Sequence, residues 1–262
     1  MPAERSLEGR GAVVTGGGRG IGAAIARALV AAGAGVVVAA RSEEQIERVA
    51  GELREAGGQA WAVPCDVADR AAVDALAGAA TQRLGHVDIL VNNAGVGHSA
   101  AIKDLSLEDW TRVLAVNATG TYLCTRAFLG PMMERGWGRV VNVASVAGVA
   151  GARYIAAYSA SKHAVVGFTR CAAIEAAPRG VTVNAVCPAF VDTDMARGAI
   201  ERVAGRTGLS EEDALGAVLA TTRQPRLILP DEVAHAVLCL CEEEARAING
   251  QAIVMDAGAG LG

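Results

Sequence analysis

Aromatic side chains are scarce in this chain, 3% of 262 residues, whereas Ala and Gly abound. Small residues let helices lie close against a sheet, but that balance names no function. No apolar run approaches the roughly 18 residues that cross a bilayer, so no membrane partner is expected. The opening Met1-Pro-Ala-Glu-Arg-Ser6 lacks the apolar core of a secretory leader, and the expected location is cytoplasmic. No basic run interrupts a chain of net charge −4, which argues against nucleic acid and leaves a small molecule as the partner. The six cysteines, Cys65, Cys124, Cys171, Cys187, Cys239 and Cys241, form no CxxC pair and read as buried free thiols of a reducing compartment. No metal-ligand spacing is present.

What is present is alternation. Short β-rich runs at Ala12–Thr15, Val36–Ala40, Ala60–Cys65, Val87–Val91, Val140–Ala144, Val181–Val186 and Ala252–Met255 are separated by helical stretches. Right-handed crossovers then demand a parallel sheet with helices on both faces. The expected fold is α/β: a single-domain, doubly wound (Rossmann) seven-stranded parallel sheet over 1–262. Its ligands sit beyond the carboxyl ends of the strands. Nearly forty residues, 191–229, separate the last two strands; they read as a helical substrate lid or as an ordinary surface helix pair.

Thr15-Gly-Gly-Gly-Arg-Gly-Ile-Gly22 joins the first strand to a helix. A turn without β-carbons lets a pyrophosphate approach backbone amides at the helix's positive end. Gly16, Gly20 and Gly22 are the cradle, with Ile21 beside them. The second strand ends in Ala40-Arg41-Ser42 with no carboxylate at its tip, where a bare ribose would want one. Arg41, with Arg19 in the glycine loop, points to NADP(H); NAD(H) is the alternative if both arginines are solvated. Asp66 after the third strand either accepts from the adenine amino group, with the Val67 amide beside it, or caps the next helix. Asn92-Asn93-Ala94-Gly95 ends the fourth strand, placed to support the adenine ribose and stiffen the sheet. Asn117, a polar residue among apolar helical neighbours, needs hydrogen-bond partners: it caps a kink, holds a water, or both.

Tyr158 and Lys162 are four apart on a helix and share a face. A phenol is a poor base at neutral pH, and a nearby ammonium favours the phenolate. Ser145 ends the Val140–Ala144 run, where a hydroxyl could hold a substrate oxygen.

Together, Thr15-Gly-x3-Gly20-x-Gly22, Asn92-Asn-Ala-Gly95, Asn117, Ser145, Tyr158-x3-Lys162 and Pro188–Thr193 resemble the short-chain dehydrogenase/reductase family along nearly the whole chain. The resemblance implies a catalytic set of Ser145, Tyr158 and Lys162 with Asn117 in a proton relay. In it, Tyr158 exchanges the substrate proton, Ser145 orients the carbonyl, and Lys162 binds the nicotinamide ribose and lowers the tyrosine pKa. Pro188, Val191 and Thr193 are expected at the nicotinamide, with Ala189 standing where the family usually has glycine.

The stretches Tyr158–Phe168 and Val181–Thr193 are most similar to bacterial 3-oxoacyl thioester reductases, polyketide ketoreductases and 3-hydroxybutyrate dehydrogenases. Val146, Ile155 and Met195, with Val149, suggest an apolar substrate wall suited to a larger ketone or an acyl chain. His98 is either a substrate contact or a solvated loop residue. His163 reads as structural, and His86 and His235 as surface residues. The leading expectation is an NADP(H)-dependent ketoreductase, and homotetramers are common in the family. The alternatives are an NAD-dependent secondary-alcohol or 3-hydroxyacyl dehydrogenase working in oxidation, and a cofactor-sensing binding protein on the same fold.

Overall fold

Valine-rich strands alternate their side chains between two apolar layers, and that alternation organises the molecule. The computed structural model describes residues 6–259; residues 1–5, most of the stretch read above for a leader, and 260–262 lie outside them. Strands β1 (Gly11–Thr15), β2 (Gly35–Ala40), β3 (Ala60–Pro64), β4 (Ile89–Asn92), β5 (Gly138–Val143), β6 (Val181–Pro188) and β7 (Ala252–Met255) form one parallel sheet of order β3-β2-β1-β4-β5-β6-β7. All seven expected strands are found, and the fourth starts two residues late because Val87 and Asp88 belong to the approach loop.

Val14, Val36 and Val38 point into one layer, against helices α1 (Gly20–Ala31), α2 (Glu43–Glu55) and α9 (Pro230–Cys241). Val13, Val37, Leu90 and Val140 point into the other, beneath α3 (Arg70–Leu84), α5 (Gly120–Arg135) and α6 (Ala156–Ala176). Helix α2 shows why these segments fold locally: Ile46, Val49, Ala50 and Leu53 form one buried stripe, Glu43 and Glu44 occupy the first turn, and the Ser42 hydroxyl accepts from the Gln45 amide. Each fully buried Leu, Ile or Val in these layers stabilises the fold by about 1.5–3 kcal/mol.

Strand order reverses beside β1, so the crevice opens at the carboxyl ends of β1 and β4. The opposite edge is tied by charge. Buried Asp88 accepts from the Gly11 amide and faces His86 at 3.1 Å, Arg135 at 3.7 Å and Arg10 at 3.9 Å. His86 is exposed, as expected, and also faces this carboxylate. Arg10 and Arg139 both stack on the Trp137 ring, and Trp137 and Arg139 donate to Glu243.

The long connection after β6 is a helix pair, α7 (Asp194–Thr207) and α8 (Glu211–Thr222), around a small apolar cluster of Ile200, Ala214 and Val218. It leaves and returns at one point: Val191 bridges Ile228, and the Gln224 side-chain amide exchanges two hydrogen bonds with the Phe190 backbone. The expectation of uniformly buried thiols is corrected. Cys171 and Cys239 lie on the outward faces of α6 and α9, while the other four are buried. No helix among the described residues is long and apolar enough to cross a membrane.

Candidate active site

The glycine turn is shaped by what surrounds it. Gly16 and Gly20 have φ of +64° and +52°, a region costly for other residues. A β-carbon on Gly22 would meet the Gly16 carbonyl and sit 2.5 Å from Asn93 Nδ2. Asn93 fastens the turn, its Nδ2 donating to the Thr15 and Gly16 carbonyls, while its own amide and that of Ala94 donate to Thr15 Oγ1. Thr15 was not singled out from sequence, although a hydroxyl at the end of a strand beside a glycine turn is the available signal. Helix α1 starts at this turn with no side-chain cap, so its first amides are directed at the crevice. A β-carbon-free cradle at an uncapped helix start fits a dinucleotide pyrophosphate.

The other cofactor candidates separate. Exposed Arg41 lies at the tip of β2 and forms no ion pair among the described residues, while Ser42 is spent as the α2 cap. Arg19 does not join Arg41: its guanidinium donates to Asp194 at 3.1 Å, tying the glycine loop to the start of α7. Asp66 does not cap α3. Asp69 does, through the Ala71 amide, and Asp66 Oδ1 accepts from Ala68 in a local turn because the helix begins three residues later than that reading required. Val67 is buried against Gly120. Pro188 ends β6, and Ala189 follows without a left-handed backbone, so its β-carbon imposes no strain. The Thr193 hydroxyl bonds the Val191 carbonyl and caps α7.

The chemistry-bearing residues converge. Ser145, at the end of β5, accepts from the Ala147 amide through Oγ, and its hydroxyl is close enough to the Tyr158 phenol to act on its pKa. Lys162 Nζ lies 5.7 Å from the Tyr158 ring centroid and donates to the Val143 carbonyl at 2.8 Å. Burial pushes the Tyr158 phenol above its ordinary value, and the Ser145 hydroxyl only opposes this. The expected lowering by Lys162 is not what this geometry gives. The ammonium is directed at a carbonyl, and burial lowers its own pKa to about 8.

That value carries a stability prediction. The folded pKa, about 8, lies below the ordinary 10.5, so between these pH values the unfolded chain binds more protons and stability rises with pH. Below pH 8 the full cost of burying the charge is present. Relative to Lys162→Met, the wild type is therefore expected to gain stability from pH 8 to 10, read as denaturant midpoints; a constant difference contradicts this.

Asn117 sits in a short π-helical segment, Ala115–Thr119, the kink expected of it. Its Oδ1 accepts from the Val96 amide, and its Nδ2 donates to the Val96 carbonyl and Ser161 Oγ. The side chain is thus a clasp between the loop after Gly95 and α6. Sequence reasoning missed Ser161, whose hydroxyl also donates to the Tyr158 carbonyl; its place between Tyr158 and Lys162 was the signal. Asn92 does stiffen the sheet, donating to Thr125 and Asn142, and Asn142 donates onward to Thr169.

On the substrate side, Val146 and Ile155 are partly buried and Met195 is half-exposed. Met195 reaches across the cleft: a β-carbon on Gly97 would lie 3.7 Å from its sulfur. Val149 packs instead against the layer containing Val165 and Val166. His98 Nδ1 is 3.5 Å from Asp109 Oδ1, engaged by α4 (Leu107–Leu114). His163 bonds Ser159 outside the site, and His235 pairs with Cys239 on α9.

Comparison with known proteins agrees with this arrangement. The short chain dehydrogenase family model matches residues 10–203. A protein of Streptomyces coelicolor assigned as a ketoacyl reductase is 43% identical over 95% of this chain and 96% of its own. D-β-hydroxybutyrate dehydrogenase of Cupriavidus necator is 37% identical over 96% and 98%. A variant of actinorhodin polyketide ketoreductase, solved with NADPH, superposes with a TM-score of 0.92 at 43% identity, covering 98% of this chain and 99% of that one. The chain belongs to the short-chain dehydrogenase/reductase family and is an NAD(P)-dependent oxidoreductase acting between a carbonyl and its alcohol.

Proposed function

We propose that the protein is an NADP(H)-dependent carbonyl reductase whose substrate is a ketone or a 3-oxoacyl compound. The observation that carries the reading is the convergence of Ser145, Tyr158 and Lys162 at the carboxyl end of β5, with Lys162 anchored to the Val143 carbonyl. The ketoacyl reductase relatives favour the reductive direction, in which the protonated phenol is the donor. When bound, the dinucleotide supplies the hydride. Ser145 orients the carbonyl oxygen through its hydroxyl, and Tyr158 delivers its phenolic proton to the oxygen as negative charge develops there. Lys162, held by the Val143 carbonyl, binds the nicotinamide ribose and keeps positive charge behind the phenol. Asn117 acts through position, fixing the Val96 loop to the helix that carries Tyr158 and Lys162.

Gly16, Gly20, Ile21 and Gly22 would hold the pyrophosphate; Asp66, Val67, Asn93, Ala94 and Gly95 the adenosine side; and Pro188, Val191 and Thr193 the nicotinamide. Val146, Ile155 and Met195 form the substrate wall, with His98 at its edge. Residues 191–229 serve as the lid, a role supported by the stitched base at Val191–Ile228 and by the reach of Met195 toward Gly97. We place the enzyme in the cytoplasm and read it as a homotetramer; exposed Tyr122 and Ile174 on α5 and α6 support association through those helices.

Selectivity rests mainly on Arg41, since Arg19 is partnered by Asp194. One charge-assisted hydrogen bond contributes about 1.5–3 kcal/mol. Arg41→Ala should therefore weaken NADPH by about tenfold or more and leave NADH nearly unchanged in direct titrations; equal losses would remove Arg41 from the 2′-phosphate site. The partnered Arg19 and the hydroxybutyrate dehydrogenase relative favour a second reading, NAD-dependent oxidation of a secondary or 3-hydroxyacyl alcohol.

A further inference from the structure

A hollow of about 290 Å³ opens at the amino ends of β5 and β6, on the side of the sheet opposite the crevice. Trp137, Arg139, Thr182, Glu243, Arg246 and Asn249 line it. Arg139 stands near the start of β5 and Ser145 just beyond its end, which places them about 20 Å apart at 3.3 Å per residue. The hollow therefore lies outside the catalytic cleft.

Its unusual feature is Arg139. A buried guanidinium is costly unless its charge is balanced and its donors are met, and this one is 1% exposed. Its Nη1 donates to the Gly138 carbonyl at 2.9 Å and its Nη2 to Glu243 Oε2 at 3.2 Å. Its buried Nε has no hydrogen-bond partner among the described residues, a condition that calls for a water or an ion. The counter-charge is weak. Glu243 is 56% exposed, accepts also from Trp137 Nε1, and is shared with Arg246 at 3.9 Å. Burial lowers the Arg139 pKa, and the Glu243 charge only opposes this. Arg10 brings a further cation, 3.6 Å from the centre of the Trp137 ring. Asn249 is already bonded to the Val183 amide and the Ala173 carbonyl. The walls thus carry two guanidinium groups against one carboxylate.

We propose that this hollow binds a small oxyanion, a phosphate or a carboxylate, between Arg139 and Arg246. The space is roughly ten times a water molecule's share of the liquid, enough for such an ion. One ligand oxygen meets the unsatisfied Arg139 donor, and another takes the fork of Arg246, which is 77% exposed and free to close over it. The Thr182 hydroxyl supplies a third donor. Glu243 competes for the same cations. The bound ion ties β5 and β6 to the helical turn Glu243–Ala247 and stabilises the fold without touching the reacting groups. The inference is independent of the carbonyl-reductase reading.

The test is thermal unfolding and calorimetric titration with inorganic phosphate, succinate and chloride at equal ionic strength. Saturating NADPH or NADH is present throughout, so that the glycine cradle is filled and cannot itself take the probe. Two charge-assisted contacts imply a phosphate dissociation constant on the order of 1 mM. About 10 mM phosphate should then raise the wild-type thermal midpoint by about 3–5 °C over chloride. Arg246→Gln, at an exposed position, should weaken phosphate about tenfold and cut the shift to about 1 °C, with turnover unchanged. Glu243→Gln should act in the opposite sense, tightening phosphate by about threefold or more, because it removes the competing charge and keeps an acceptor for Trp137. Each shift is read within one variant, so a change in its basal stability does not enter. Arg246-dependent shifts with phosphate and succinate support a general oxyanion site, and a shift with one alone supports the site and names its ligand chemistry. A midpoint that rises no more than in chloride, a shift that persists undiminished in Arg246→Gln, or weaker phosphate binding in Glu243→Gln overturns the proposal.

Discussion

Tyr158→Phe is expected to lower kcat by about 10²–10⁴-fold, the range for losing a positioned general acid, with the NADPH dissociation constant changed by less than about twofold. The substitution removes one hydroxyl and leaves the surrounding structure anchored. Lys162 Nζ keeps its bond to the Val143 carbonyl, Ser145 Oγ still accepts from the Ala147 amide, and Ser161 bonds the Tyr158 main chain rather than its phenol. In the proposed arrangement, cofactor groups beyond the nicotinamide ribose would be met by other elements of the sheet edge, so binding energy would be retained. Steady-state rates and fluorescence titration of NADPH separate the two effects. Near-normal turnover would remove Tyr158 from proton transfer, and a parallel loss of affinity would make it a binding residue instead.

The second large effect is expected at Gly22. A β-carbon there meets the Gly16 carbonyl and lies 2.5 Å from Asn93 Nδ2. One obstacle is backbone, and the other is an amide already fixed to Thr15 and Gly16, so neither yields without opening the turn. Gly22→Ala should cost about 1–3 kcal/mol of stability by overpacking and weaken either dinucleotide by about tenfold or more, because the α1 amides lose their aim. Gly78, exposed in α3 with nothing within 4 Å of an added β-carbon, is the control. Gly78→Ala should be neutral or stabilise by up to about 1 kcal/mol through helix propensity. Thermal midpoints and dinucleotide titration read both variants; equal behaviour would contradict a cradle fixed by close approach.

Much of the architecture is legible in sequence because it depends on local pattern. Valine runs such as Val36-Val37-Val38 announce strands buried on both faces, and the candidate site residues lie just after such runs. Ser145, Tyr158 and Lys162 are found by the same logic, one at a strand end and two on a helix turn. What pattern does not carry is competition between distant partners. Arg19 is taken by Asp194, 175 positions away, and the Asn117 amide is consumed by Val96 and Ser161. The Lys162 effect on Tyr158 fails for a related reason. Spacing places two groups on one face, but burial and the direction of the hydrogen bond decide the sign of a pKa shift. Asp66 and Asp69 illustrate the smallest scale, where two carboxylates stand close together and the start of α3 selects the second as its cap.

The central claim is that this chain reduces a carbonyl with NADPH through Tyr158. It is tested most directly by following oxidation of NADPH and of NADH, with Tyr158→Phe as blank, against aliphatic and aromatic ketones and 3-oxoacyl thioesters. The account predicts tyrosine-dependent turnover with NADPH that exceeds turnover with NADH. Turnover with NADH alone, or NADPH oxidation that persists undiminished in Tyr158→Phe, would contradict it.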